Sequence, residues 1–160
     1  MTDAERPVWE MEESVVAQAP PAFAFDYLVS IENMKADPGI EDVEADGPAR
    51  NRVGMRGRTH AVGGHTTDWI VTAVEPGRRL VIDIPLHDAV LRFAFRFEDR
   101  AGGGSNVSQR ISLFGANAGE YLDAVSSGFG PTLRDGMHAV RDRIEAAARQ
   151  RASNTGVNNP

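Results

Sequence analysis

Residues 89–114 read AVLRFAFRFEDRAGGGSNVSQRISLF, and this stretch decides the fold. Leu91, Phe93, Phe95 and Phe97 alternate with Val90, Arg92, Ala94, Arg96 and Glu98. Beyond Gly102 to Gly104, Val107, Gln109, Ile111 and Leu113 alternate with Ser108, Arg110, Ser112 and Phe114. Two period-2 runs around a glycine turn describe an antiparallel hairpin with one phenylalanine- and aliphatic-rich face. Pairing the runs sets Phe95 beside Gln109, which then interrupts that face as a polar residue in mid-strand.

Upstream, turn chemistry recurs at strand spacing. Gly47-Pro48, Gly63-Gly64, Pro76-Gly77 and Pro85 separate further period-2 runs from Ile40 onward, which makes a meander of six strands. A two-residue turn at Gly63-Gly64 pairs Val62 with His65, Ala61 with Thr66, Thr59 with Asp68 and Gly57 with Ile70. A three-residue turn at Pro76 to Arg78 sets Val74 beside Leu80 and gathers Thr59, Asp68, Ile70 and Val74 on the inner face. A two-residue turn there would bring in Trp69 and Val71 instead. The three-residue form is preferred because it leaves Arg56, Arg58 and His60 in water, whereas the alternative buries two arginines without evident partners.

The flanks complete the pattern. Val8 to Ala17 alternates as a first strand, with Glu13 the polar member of the face that carries Trp9, Met11, Val15 and Ala17. Pro20-Pro21 then opens a short helix pair with Phe23, Tyr27, Leu28 and Ile31 at helical spacing. After Phe114 the chain turns helical, breaks at Gly128-Phe129-Gly130-Pro131 and continues to about Arg149. Phe129, Leu133, Met137, Val140 and Ile144 fall on one apolar stripe of that helical stretch. The order is that of an α+β helix-grip architecture: a seven-stranded curved antiparallel sheet around a long C-terminal helix, with two short helices between strands 1 and 2. Residues 8–150 form the single domain, and 1–7 and 151–160 read as loose tails.

Several pieces of the sequence carry a resemblance. Ser14-Val15-Val16-Ala17-Gln18-Ala19-Pro20-Pro21 precedes an aromatic helix, and Ser30-Ile31-Glu32-Asn33-Met34 is followed by Asp37-Pro38-Gly39. Val53-Gly54 and Val74-Glu75-Pro76-Gly77-Arg78-Arg79-Leu80 come after them. In this order and spacing they resemble the SRPBCC or START-like superfamily, polyketide cyclase/dehydrase-like proteins included, over about residues 8–150. The resemblance implies the helix-grip fold. It does not choose a function, because that superfamily includes lipid carriers, hormone receptors, aromatase/cyclases and chaperone cofactors. Ala36 stands where relatives often carry a tryptophan before the Asp-Pro step, which implies a wider cavity mouth or a different ligand.

Composition narrows the field. A chain of 160 residues suits one domain with a core of its own. The absence of cysteine excludes disulfides, thiolate metal sites and cysteine nucleophiles, and makes a cytoplasmic address the default expectation. MTDAERPVWE lacks the charge and hydropathy pattern of a signal peptide, and no window approaches the ~18 uncharged residues of a membrane span, so no stable membrane insertion is expected. The net charge of −6 comes without any basic block, which argues against nucleic acid as a partner. His60 and His65 sit diagonally across a hairpin without a third metal ligand. The glycine clusters lack a strand-GxGxxG-helix context, and no GxSxG elbow holds a serine. Neither metal nor cofactor is expected.

The inner face therefore offers an apolar small molecule Phe93, Phe95, Phe97, Ile111 and Leu113 from the sheet, with Leu133 and Met137 from the helix. Tyr121 and Phe129, before the Gly130-Pro131 break, are candidate lid residues, and Gln109 is the candidate for orienting a ligand carbonyl or hydroxyl. Glu13 and Asp68 are the candidate catalytic carboxylates, since apolar surroundings raise a carboxyl toward general acid–base use. Each also reads plainly as a strand-end or hairpin-end carboxylate in contact with water. Three functions fit: binding of a lipid, polyketide or isoprenoid; a polyketide aromatase/cyclase or dehydratase working by general acid–base catalysis; or a protein-interaction module. The first suits a monomer or weak homodimer.

Overall fold

In a computed structural model, which describes residues 6–47 and 50–157, strand β6 (Ala89–Asp99) pairs with β7 (Ser105–Phe114) in the register that alternation implies. Phe93 lies opposite Ile111, Phe95 opposite Gln109 and Phe97 opposite Val107. Gly102, Gly103 and Gly104 close this hairpin with φ of 92°, 103° and 79°, a left-handed run that side chains with a Cβ resist. Outward on one side lies β1 (Trp9–Ala17), whose Glu13 pairs with Gln109. On the other side follow β5 (Arg79–Leu86), β4 (Thr66–Glu75), β3 (Arg56–Ala61) and β2 (Ile40–Ala45). The seven strands are antiparallel in the order β1-β7-β6-β5-β4-β3-β2, so the connection from β1 to β2 joins the two edges of the sheet.

That connection is the helix pair, α1 (Pro21–Val29) and α2 (Ile31–Met34). Proline at the first helical position costs no hydrogen bond, and the Pro20 carbonyl accepts from the N–H groups of Phe23 and Ala24. The helix buries Ala24, Phe25 and Val29, while Phe23, Tyr27 and Leu28 are only half-buried. Phe25 meets Phe97 edge to face, with ring centroids 5.6 Å apart, and so anchors α1 on the sheet. A 3₁₀ turn at Ala118–Tyr121 and helix α3 (Leu122–Phe129) lead to α4 (Leu133–Val157). From the expected stripe Leu133, Met137 and Ile144 are buried, each contributing roughly 1.5–3 kcal/mol, and Phe129 and Val140 are half-buried. Helix α4 approaches β1 most closely and meets β7 more lightly.

Two expectations are corrected. The helix does not stop near Arg149 but runs through Val157: no proline interrupts 150–157, and Arg151 stacks over the Phe23 ring at 5.6 Å, a tertiary contact that extends it. Much of the expected C-terminal tail is therefore helix. Residues 158–160, residues 1–5 of the expected N-terminal tail, and Pro48 of the Gly47-Pro48 turn lie outside the described residues.

The second correction concerns the β3–β4 hairpin. Ala61 N–H donates to the His65 carbonyl at 2.7 Å, and His60 pairs with Thr66, so the loop has three residues, Val62, Gly63 and Gly64, rather than two. Thr59 accordingly faces Thr67, Gly57 faces Trp69, and Arg58 faces Asp68. The three-residue turn at Pro76 to Arg78 does form, with Val74 opposite Leu80, but the ladder slips between Val71 and Ala73. This bulge lets Val74, Val71 and Trp69 share the inner face while Asp68 and Ile70 turn outward. Arg56 and Arg58 stay in solvent. The dilemma between buried arginines and an inward Asp68 disappears once one residue is added in each place.

Candidate functional site

The register assigns the inner face row by row. Trp9, Leu113, Leu91 and Ile84 form one row, with Trp69 beyond them, and Met11, Ile111, Phe93, Ile82 and Val71 the next. A third contains Glu13, Gln109, Phe95, Leu80 and Val74. Trp69, 4% exposed, lies across the backbone of Gly57, where a Cβ would come within 2.1 Å of the indole. Its Nε1–H donates to Thr59 Oγ1 at 2.9 Å. A glycine inside a strand opposite a tryptophan was the sequence signal that could have turned Trp69 inward.

Among the expected ligand-binding residues, Phe97, Ile111, Leu113, Leu133 and Met137 are buried in one core cluster. Phe93, Phe95, Tyr121, Phe129 and Gln109 are half-buried. Phe93 and Phe129 meet edge to face, with centroids 5.5 Å apart. The His87 backbone N–H donates to the Tyr121 hydroxyl at 3.1 Å, and Asn117 Nδ2 donates to the His87 carbonyl, so the start of the α3 segment is tied to the β5–β6 turn. Val74, Ile82, Ile84, Phe93 and Phe95 form an apolar strip on β4, β5 and β6 that the rest of the core only partly covers.

The two candidate carboxylates are not brought together. Glu13 is half-buried on the inner face beside Gln109. Asp68 is exposed on the outer face, where Arg58 donates to both its oxygens at 2.6 and 3.2 Å and holds the carboxyl below its ordinary range. The outer face carries more pairs of this kind. Arg92 grips Asp83 at 2.8 and 2.9 Å, and Arg110 meets Glu12 at 2.6 Å. Hydrogen bonding to Asp83 and to Glu12 raises these two guanidinium groups above their ordinary value. His60 meets Glu44 at 2.8 Å, and no cluster of three His, Asp or Glu side chains suited to a metal occurs among the described residues.

Interior polar atoms fare differently. Asn51 Oδ1, Ser105 Oγ and Arg143 Nε are buried without a hydrogen-bond partner among the described residues. Asn51, 4% exposed, sits in the β2–β3 connection; its backbone N–H donates to the Val29 carbonyl, and its Nδ2 finds only the Met34 sulfur at 3.9 Å. Leaving such an amide oxygen unpaired costs roughly 1–3 kcal/mol. Gln109, the expected lone amide of the site, is only half-buried, whereas Asn51 was missed because no periodicity marks a loop residue as interior.

Comparison with known proteins agrees with this geometry. Residues 8–145 match the family described as polyketide cyclase / dehydrase and lipid transport, and the chain belongs to that family. Among curated proteins none matches its sequence. Norcoclaurine synthase from Thalictrum flavum, in complex with dopamine and hydroxybenzaldehyde, superposes with a TM-score of 0.67 at 11% identity, over 89% of this chain and 87% of that one. TTHA0849 from Thermus thermophilus gives 0.65 at 18% identity, over 87% and 99%. Ara h 8.0201 gives 0.61 at 17%, over 86% and 98%. At these identities the likeness is one of fold, the helix-grip fold of the SRPBCC superfamily.

Proposed function

We propose that the protein binds an apolar small molecule, of lipid, polyketide or isoprenoid character, between the inner face of the sheet and helices α3 and α4. The observation that carries this reading is the half-covered strip of Val74, Ile82, Ile84, Phe93 and Phe95. Helix α4 lies closest to β1, so the β4–β6 part of the inner face keeps apolar surface that a fully closed core would have buried. Family membership supports the same reading, as does norcoclaurine synthase, a fold relative seen in complex with two small aromatic molecules. No helix among the described residues is long and apolar enough to cross a membrane. An aromatase or dehydratase has less to stand on, because Asp68 faces outward and only Glu13 of the two candidate carboxylates remains inside.

Titration with the apolar fluorophore N-phenyl-1-naphthylamine tests the proposal. One probe is expected per folded chain, displaceable by a fatty acid, and Phe95→Trp should weaken it several-fold by filling the strip. Fluorescence enhancement seen only with unfolded or aggregated protein would refute the reading.

A further inference from the structure

Arg79 and Arg96 are partners across the β5–β6 ladder, side by side on the outer face. Like charges opposite one another in an antiparallel pair have Cβ atoms about 5 Å apart and repel. Neither guanidinium forms a hydrogen bond with a described residue: the nearest carboxylates, Glu75 for Arg79 and Glu98 for Arg96, stand 4.0 Å away, beyond hydrogen-bond reach. Arg92 and Arg110 differ, since Asp83 and Glu12 already fill their forks. Ser108 continues the row as the β7 partner of Arg96, and its hydroxyl also lacks a hydrogen bond among the described residues.

Arg79, Arg96 and Ser108 line one cavity of about 240 Å³ on that face, and Arg92 and Arg110 line it too. Ala94 makes the room: it sits between Arg92 and Arg96 along β6 and opposite Arg110, where a longer side chain would fill the space. The two carboxylates of the lining are engaged, Glu12 by Arg110 and Glu10 by the Ser112 hydroxyl at 3.1 Å. In a chain of net charge −6, two adjoining guanidinium groups are thus left with donors for an anion that the cavity's own carboxylates do not supply. A carboxylate engages one guanidinium fork with both of its oxygens, whereas a phosphate group brings a third terminal oxygen and a second negative charge for the other. We propose that this cavity binds a phosphate group, as the free ion or as the monoester of a small molecule, held between Arg79 and Arg96 with the Ser108 hydroxyl as a further donor. The site is separate from the apolar strip, because β6 turns Arg92, Ala94 and Arg96 outward and Phe93 and Phe95 inward.

Calorimetric titration of the full chain with inorganic phosphate, at fixed ionic strength, tests the site. One phosphate per chain is expected, with sulfate following it and acetate weaker by roughly tenfold or more. Arg79→Gln and Arg96→Gln should each weaken phosphate by about tenfold, while Arg134→Gln, on the exposed side of α4, leaves it unchanged. Phenyl phosphate separates the two forms of ligand: binding as tight as that of phosphate assigns a monoester, and exclusion assigns the free ion. Thermal unfolding supplies a second readout. Without phosphate, Arg96→Gln should unfold at the same temperature as the unaltered protein or a little higher, because a repulsion is removed; added phosphate should raise the midpoint of the unaltered protein and not that of the variant. Acetate binding as well as phosphate, no saturable phosphate binding to the folded protein, or phosphate binding that survives Arg79→Gln and Arg96→Gln together overturns the inference. A clear fall in the phosphate-free midpoint of Arg96→Gln overturns it as well, since Arg96 would then be held by a partner within the protein.

Discussion

The two faces of the sheet treat polar groups in opposite ways. On the outer face the cross-strand register sets opposite charges side by side, Arg58 with Asp68, Arg92 with Asp83, Arg110 with Glu12 and Glu44 with Arg58, and Glu44 also meets the His60 ring one row away. Each of these charges finds its partner within the protein. On the inner side, carboxylates are nearly absent from the rows, and the buried polar atoms that do occur include three without partners. Stability accounts for the first arrangement. The second leaves unmet hydrogen-bonding capacity in the interior, where an ordinary core pairs nearly every buried polar atom.

The largest effect that this contrast predicts lies inside. Phe97 is 3% exposed and stacks edge to face on Phe25, so Phe97→Ala should lower unfolding stability by about 3–5 kcal/mol in urea titrations. A loss below ~1 kcal/mol would mean that this end of the inner face is not packed core. The outer face should respond less. Removing Arg92 leaves Asp83, 8% exposed, with neither of its two hydrogen bonds, yet the Arg92 side chain is 40% exposed and its end of the pair is screened by solvent. Arg92→Met should therefore cost about 1–2 kcal/mol, measured the same way. Substituting Asp83→Leu in the same chain should restore part of it, because no unpaired carboxylate remains. No recovery in the double variant would assign the loss to Arg92 packing over the Phe114 ring, 4.8 Å away, instead.

The same two faces explain what sequence could and could not reveal. Strands β6 and β7 alternate strictly, and their hairpin register followed from that alternation alone, down to Phe95 opposite Gln109. Strand β4 could not be oriented in this way, since TTDWIVTAVE is apolar on both faces over Trp69 to Val71 and its direction depends on a loop length and a bulge. Each adds one residue that leaves no periodic trace, and a one-residue slip exchanges the faces. Asn51 and Arg143 were illegible for a related reason. Whether a polar side chain is interior depends on which elements close over it, here α2 and α4, and neither contact is local in sequence.

The smallest expected effect concerns the exposed pair Arg58–Asp68, and its sign with pH is definite. Arg58 lowers the Asp68 carboxyl below its unfolded value of ~3.9, so the pair's contribution is present above that pH and is lost as the pH falls through the depressed folded value. Arg58, raised above an already high value, stays charged throughout and adds no second transition. Comparing thermal midpoints of the unaltered protein and Asp68→Asn between about pH 7 and pH 2 isolates the pair. The unaltered protein should lead by a small, constant margin down to about pH 5, and the margin should close below about pH 3. Added salt should shrink it at neutral pH, because both side chains are more than half exposed. A margin that persists in acid, or that ignores salt, would indicate that Asp68 acts through packing or an inward contact, which would reopen the orientation of β4.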